Sequence, residues 1–200
     1  MKKLVSLLLA VLMLTAAASA LAESFVMNEE NFLSEQGPVW FYRYYTEETD
    51  EILDLNLTPD WGDNWQFSAQ PTVDDVYHSL FEWDGVHAMA GKWLGFHVDM
   101  VLVFLAPKDG RATLEPMSFV IKDDGSGNEY APYLVQVHHV SGENEPVKLL
   151  GEGEDFVLTP FETEAIELEL KAGDELRFIV RAPDQGGAAV SVQPTVTYAE

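Results

Sequence analysis

The feature that most constrains this chain is a period of two. Ile166, Leu168 and Leu170 alternate with Glu167, Glu169 and Lys171, and Leu176, Phe178 and Val180 alternate with Arg177 and Arg181. Val190, Val192, Val196 and Tyr198 alternate with Ser191, Gln193, Thr195 and Thr197, and Leu53, Leu55 and Leu57 with Asp54 and Asn56. Successive side chains of a strand point to opposite faces, so this pattern predicts sheets with one covered face and one wet face. Val98 to Leu105 is apolar at nearly every position, which predicts a central strand buried on both faces.

Turn chemistry separates the runs. Lys108-Asp109-Gly110-Arg111 sets Asp-Gly between two strand patterns and predicts a hairpin. Ala172-Gly173-Asp174 predicts a similar turn between strands at 164–171 and 175–182, and Asp184 to Gly187 turns the chain into a last strand. About ten strands at this spacing, with no helical stripe of useful length, predict an all-β antiparallel sandwich. The stretch from Pro71 to Trp93 reads as an excursion with one helical turn.

The N-terminus is different in kind. Met1-Lys2-Lys3 precedes the apolar run Leu4 to Leu14, and Ala20-Leu21-Ala22 supplies an A-x-A cleavage site. This is the layout of a secretory signal peptide over residues 1–22; the run is shorter than the roughly 20 residues of a spanning helix. Residues 23–31 read as a short arm, and 32–200 as a single β-sandwich domain without internal repeat or linker. The chain is therefore expected to be secreted, extracellular or in the periplasm or cell envelope, with no membrane insertion after cleavage.

Charge and cysteine narrow the chemistry. The formal net charge is −23 and Cys is absent. So negative a surface repels phosphate backbones and excludes nucleic acid as a partner. An exported domain without disulfides must hold by its core or by a bound cation, and thiol catalysis and Cys-ligated zinc are excluded.

The order of motifs resembles a jelly-roll module of the carbohydrate-binding type found in bacterial secreted and glycan-degrading proteins. The resemblance rests on Gln36-Gly37 before Trp40-Phe41-Tyr42-Arg43-Tyr44-Tyr45, on Val103 to Gly110, on the polar loop Asp123 to Asn128, on Gly173-Asp174-Glu175-Leu176-Arg177-Phe178 and on Pro194 to Tyr198. It spans most of residues 32–198. It implies a jelly-roll sandwich of the carbohydrate-binding type, of a kind often attached to glycosidases and commonly without an assigned ligand; the function expected first is a non-catalytic module that binds an extracellular glycan through exposed aromatics. Two departures bear on the site: the family's His-Pro reads His87-Ala88, and the loop at 183–189 is short.

Trp61, Trp65, Trp83 and Tyr130 stand in or beside turn-rich polar stretches, where a flat ring can meet the C–H face of a sugar. They are the candidate ligand residues, whereas Trp40, Tyr42 and Tyr44 recur at period two and read as core or sheet-face residues. Asp123, Asp124, Asn128 and Glu129 gather hard oxygen donors in one loop, a candidate calcium site without the spacing of an EF-hand. His138 and His139 are adjacent on a strand and point to opposite faces, so they cannot share one metal; all five His read as ordinary polar residues. No nucleophile elbow or phosphate-cradling loop is present. Two further readings stay open: a cell-surface interaction sandwich without a sugar site, and a polysaccharide-active enzyme, which would need two carboxylates across the scissile bond.

Overall fold

The strand from Phe96 to Leu105 organises the molecule. The structure, a computed structural model, describes residues 22–28, 31, 37–46, 51–54, 56–59, 65–68, 80–82, 87–93, 96–120, 134–150, 161–181 and 186–199. In chain order the strands are β1 (Glu23–Val26), β2 (Trp40–Thr46), β3 (Glu51–Asp54), β4 (Asn56–Pro59), β5 (Trp65–Ser68), β6 (Leu80–Glu82), β7 (His87–Trp93), β8 (Phe96–Leu105) and β9 (Gly110–Leu114). They continue as β10 (Ser118–Phe119), β11 (Leu134–Val140), β12 (Val147–Leu150), β13 (Phe161–Glu162), β14 (Ile166–Leu170), β15 (Glu175–Arg181), β16 (Gly186–Ser191) and β17 (Thr195–Tyr198). These segments outnumber the ten or so expected because several span only two to four residues, too short to show a period.

Along one edge β8 pairs with β2, from Thr46↔Val98 to Trp40↔Phe104. Its other edge is shared by β15 over Met100 to Leu105 and by β7 over Phe96 to Val98. Both edges being occupied, Met100, Val101, Leu102, Val103 and Phe104 are all fully buried, as the unbroken apolar run predicts. The larger sheet runs β12-β11-β15-β8-β7-β6-β5-β4, with β2 carrying β3 beside β8 and β16 beside β7. A smaller sheet runs β1-β17-β9-β14, and every pairing in both is antiparallel.

The two sheets share one core. Leu114, Leu170, Val196 and Tyr198 from the smaller sheet join Trp40, Tyr42, Leu102, Phe104, Val137, Leu176, Phe178 and Val180 from the larger. Rings interleave at the contact: Phe25 lies 5.6 Å from Phe104 and 6.0 Å from Tyr198, and Trp40 lies 5.1 Å from Phe104 and 6.3 Å from Phe178. Such tilted and edge-on pairs add to the burial of large apolar area. This is an antiparallel β-sandwich of the jelly-roll kind.

The expected hairpin at Lys108 to Arg111 is instead an arch between sheets. β8 belongs to the larger sheet and β9 to the smaller, so the intervening residues step across the roughly 10 Å between layers. The turn at Ala172-Gly173-Asp174 is a second arch, from β14 to β15, and the two are bonded to each other. Ala106 N–H donates to the Asp174 carbonyl (2.8 Å), Gly173 N–H to the Ala106 carbonyl (2.8 Å), and Ala172 N–H to the Asp109 carboxylate (2.8 Å). Gly173 takes φ +89, a value L side chains rarely adopt. At Gly110 a Cβ would sit 3.2 Å from the Tyr198 ring.

Three further expectations are corrected. Residues 23–26 are no arm: they form β1, paired with β17 from Glu23↔Tyr198 to Val26↔Thr195, because Phe25 gives this segment an apolar face to bury on the core. Gly186 and Gly187 are not a turn but the start of β16, opposite Lys92 and Gly91 of β7. The run from Val190 to Tyr198 is not one strand: it breaks at residues 192–194, where the chain passes from β16 in the larger sheet to β17 in the smaller. Within Pro71 to Trp93 the described residues are strand, in β6 and β7; the expected helical turn falls on residues outside them.

Candidate functional site

The larger sheet has two faces, and its pairings sort its residues between them. On β15 the core side is Leu176, Phe178 and Val180; the other side carries Glu175, Arg177, Ile179 and Arg181. On β2 the core side is Trp40 and Tyr42, leaving Phe41, Arg43 and Tyr45 outward. On β8 the outward set is Asp99, Val101, Val103 and Leu105, and on β11 it includes Gln136 and His138. This outer face gathers most of the arginine of a chain with only 11 Lys and Arg.

Its charged groups form a connected line. Arg43 Nε donates to Asp54 Oδ1 (2.8 Å) and Arg43 Nη1 to Glu175 Oε1 (2.9 Å), while Arg177 Nε donates to Glu175 Oε2 (2.7 Å). The Arg43 guanidinium also lies 5.1 Å from the centre of the Phe41 ring, within cation–π range. Glu175 thus holds a guanidinium on each oxygen. Burial pushes its carboxyl up, but the hydrogen bonds and charges of Arg43 and Arg177 outweigh that and hold it below the ordinary range. Further along, Arg181 meets the buried Asp99 through Nε (2.8 Å) and Nη2 (2.6 Å).

His138 lies between cations. It stands opposite Lys148 of β12 and opposite Arg177 of β15, so all three share a face. Its pKa is lowered by burial first and then by the charges of Lys148, Arg177 and Arg181. Its Nε2 is buried and has no hydrogen-bond partner. His139, on the opposite side of β11, has a different fate: its Nε2 is 2.9 Å from Asp174 Oδ2, at the arch between β14 and β15. The two histidines do separate to opposite faces, and His139 is structural.

Of the residues singled out in the sequence, Trp61, Trp83, Tyr130, Asp123, Asp124, Asn128 and Glu129 lie outside the described residues. Trp65 opens β5 opposite Pro59, and its side chain is likewise outside them. Trp40 and Tyr42 are core residues, 4% and 0% exposed. Among the described residues no group of three His, Asp or Glu is arranged to hold a metal. The outer-face line of Asp54, Arg43, Glu175 and Arg177 is not among the candidate site residues that the sequence singles out. Its signal was present, because Glu175, Arg177 and Arg181 occupy the polar phase of one strand and Arg43 sits between outward-phase Phe41 and Tyr45.

No family model matches the chain, and no curated protein matches it. Among solved structures it is similar to the CBM22-1 xylan-binding domain of Paenibacillus barcinonensis Xyn10C, with 9% identity over 92% of this chain and 99% of that one, at a TM-score of 0.39. The class assigned here, an antiparallel β-sandwich, rests on the strand pairings and the shared core.

Proposed function

We propose that this chain is an exported, non-catalytic module of the carbohydrate-binding type, and that the outer face of its larger sheet is where a glycan docks. The observation that carries the reading is the line Asp54–Arg43–Glu175–Arg177: planar donors and acceptors fixed in alternation on one sheet face. Sugar hydroxyls both donate and accept, and such charge-assisted partners, already oriented by one another, cost little to order on binding. Phe41 and Tyr45 lie in the same phase of β2 and supply the apolar component. The sequence-level candidates Trp61, Trp65, Trp83 and Tyr130 remain part of the proposal as loop-borne platforms. Calcium at Asp123, Asp124, Asn128 and Glu129 remains a proposed structural cation.

The same geometry argues against glycoside hydrolysis on this face. A general acid needs a carboxyl raised toward neutrality, whereas Glu175 is held ionised by two guanidinium groups. The exposed apolar residues Val120 and Val147 are single positions of the kind any soluble surface carries.

Isothermal titration of the mature chain against a panel of neutral and acidic oligosaccharides, followed in parallel by Trp fluorescence, tests the reading. Saturable heat with at least one glycan is expected, weakened by Arg43→Ala. Silence across the panel with fluorescence unmoved would overturn it.

A further inference from the structure

We propose that the Lys148–His138–Arg177 row of the outer face takes the anionic group, a carboxylate or a sulfate ester, of an acidic glycan. The inference rests on the glycan-binding reading and names the ligand class. Three observations carry it.

The first is position. The pairings His138↔Lys148 and His138↔Arg177 put the three side chains in one row across β12, β11 and β15, with neighbouring backbones about 5 Å apart. The pairings Arg177↔Val103 and Phe41↔Val103 continue that row to an aromatic ring on β2. A cationic end and an apolar end therefore lie on one transverse line, which suits a sugar bearing a charge at one edge.

The second is unbalanced charge. Lys148 of β12 and Arg177 of β15 flank His138 from its two sides, and after burial it is their charges, with that of Arg181, that hold the imidazole neutral. Among the described residues the acids of this face are already engaged: Glu175 by Arg43 and Arg177, Asp54 by Arg43, Asp99 by Arg181. Among the described residues Lys148 has no ion-pair partner, and Arg177 directs only its Nε to Glu175. Its two terminal nitrogens are left to donate.

The third is the contrast with the rest of the chain. At a net charge of −23 the surface repels a dense polyanion from a distance. A local cationic row on such a surface selects a short or sparsely charged ligand, one whose single anionic group reaches the row while its neutral remainder meets the Arg43–Glu175 line. Lys148 is exposed and the Arg177 side chain is 23% exposed, so both can be reached.

The test compares an otherwise neutral trisaccharide bearing one glucuronate with its methyl ester, which keeps the rings and neutralises the one carboxylate, by isothermal titration at two salt concentrations. A short sulfated galactan and a neutral galactan serve as further arms, and the His138 Cε1–H resonance is followed by NMR. The acid is expected to bind about tenfold more tightly than the ester, the worth of one charge-assisted hydrogen bond, with the advantage shrinking as salt rises. Lys148→Gln and Arg177→Gln should each remove the advantage while far-UV circular dichroism stays native. Arg111→Gln, on the other sheet, should leave it intact, and the His138 resonance should move on binding. A larger advantage for the sulfated arm with the same dependence on Lys148 and Arg177 supports the site and assigns sulfate as its group. Equal binding of acid and ester, or an advantage that survives Lys148→Gln and Arg177→Gln, overturns the proposal while binding of the neutral arm keeps the glycan reading. Silence of every arm overturns both.

Discussion

The His139 imidazole and the Asp174 carboxylate meet at 2.9 Å, and through that contact β11 is tied to the arch that carries the chain from the smaller sheet into β15. Asp174 also accepts the Lys171 N–H at 3.0 Å and is only 4% exposed. One carboxylate thus closes its own turn and anchors a neighbouring strand. Burial pushes the Asp174 carboxyl up, but the Lys171 N–H, the His139 and Ser141 hydrogen bonds and the His139 charge together hold it below the ordinary carboxylate range.

A depressed folded pKa means stability that is present above the unfolded value and is lost as pH falls through the folded one. Asp174 therefore contributes fully at pH 5 and above; its contribution begins to fall below pH about 4, the unfolded carboxylate value, and is gone only once pH has dropped past the lower folded one. Asp174→Asn should cost about 1–3 kcal/mol at pH 7, the penalty for unbalancing a buried hydrogen-bonded group. It should also flatten the acid limb of stability against pH. Urea unfolding at pH 3 and pH 7 measures both.

Tyr198 titrates in the opposite direction. Burial first, then the charges of Asp174, Glu23 and Asp109, push its phenol up to about 12. The hydroxyl donates to the Lys108 carbonyl at 3.1 Å, and the Lys108 ammonium lies 5.0 Å from the ring centre. A raised folded pKa confers stability that is complete below the unfolded value near 10 and is lost as pH rises through the folded one. Melting temperature should fall between pH 10 and pH 12, and Tyr198→Phe should blunt that fall at a cost of about 1 kcal/mol at pH 7.

The core and the wet face of the smaller sheet should respond very differently to truncation. Phe178 is fully buried against Trp40, so Phe178→Ala should cost about 3–5 kcal/mol. Glu167, 80% exposed at the side chain and 3.4 Å from Arg111, should change stability by less than about 0.5 kcal/mol when truncated to Ala. Chemical denaturation of both variants provides the comparison.

Export should leave β1 whole. The proposed cleavage after Ala22 would make Glu23 the first residue, and Glu23 is the first residue of β1, where it also meets Lys108 at 2.6 Å. Mass spectrometry of the exported chain is expected to give Glu23 as its N-terminus. A form trimmed to begin at Met27 should melt several degrees lower, because it loses Phe25 from the core and an edge strand from the smaller sheet.

The fold was legible where one residue type repeated. Leu176, Phe178 and Val180 marked β15, and the apolar run marked β8, because burial on one or both faces writes directly into composition. The destination of each turn was not legible. Asp109-Gly110 looks the same whether the chain folds back on its own sheet or crosses to the other; that choice depends on Tyr198 and Ala172, which lie far along the sequence. The candidate face was hidden for the same reason. Arg43 and Glu175 are 132 positions apart, and only the pairing of β2 and β15 with β8 brings them together. Tryptophans in polar loops carry the louder local signal for a sugar platform, whereas the arginines of β15 declare themselves only by their phase on one strand.

Backbone amide chemical-shift mapping of the isotopically labelled mature chain with a bound oligosaccharide tests the central claim most directly. Shifts gathered on Phe41, Arg43, Glu175 and Arg177, with β9, β14 and β17 unmoved, are the predicted result. Shifts confined to the smaller sheet, or spread without focus, would contradict the outer face of the larger sheet as the ligand surface.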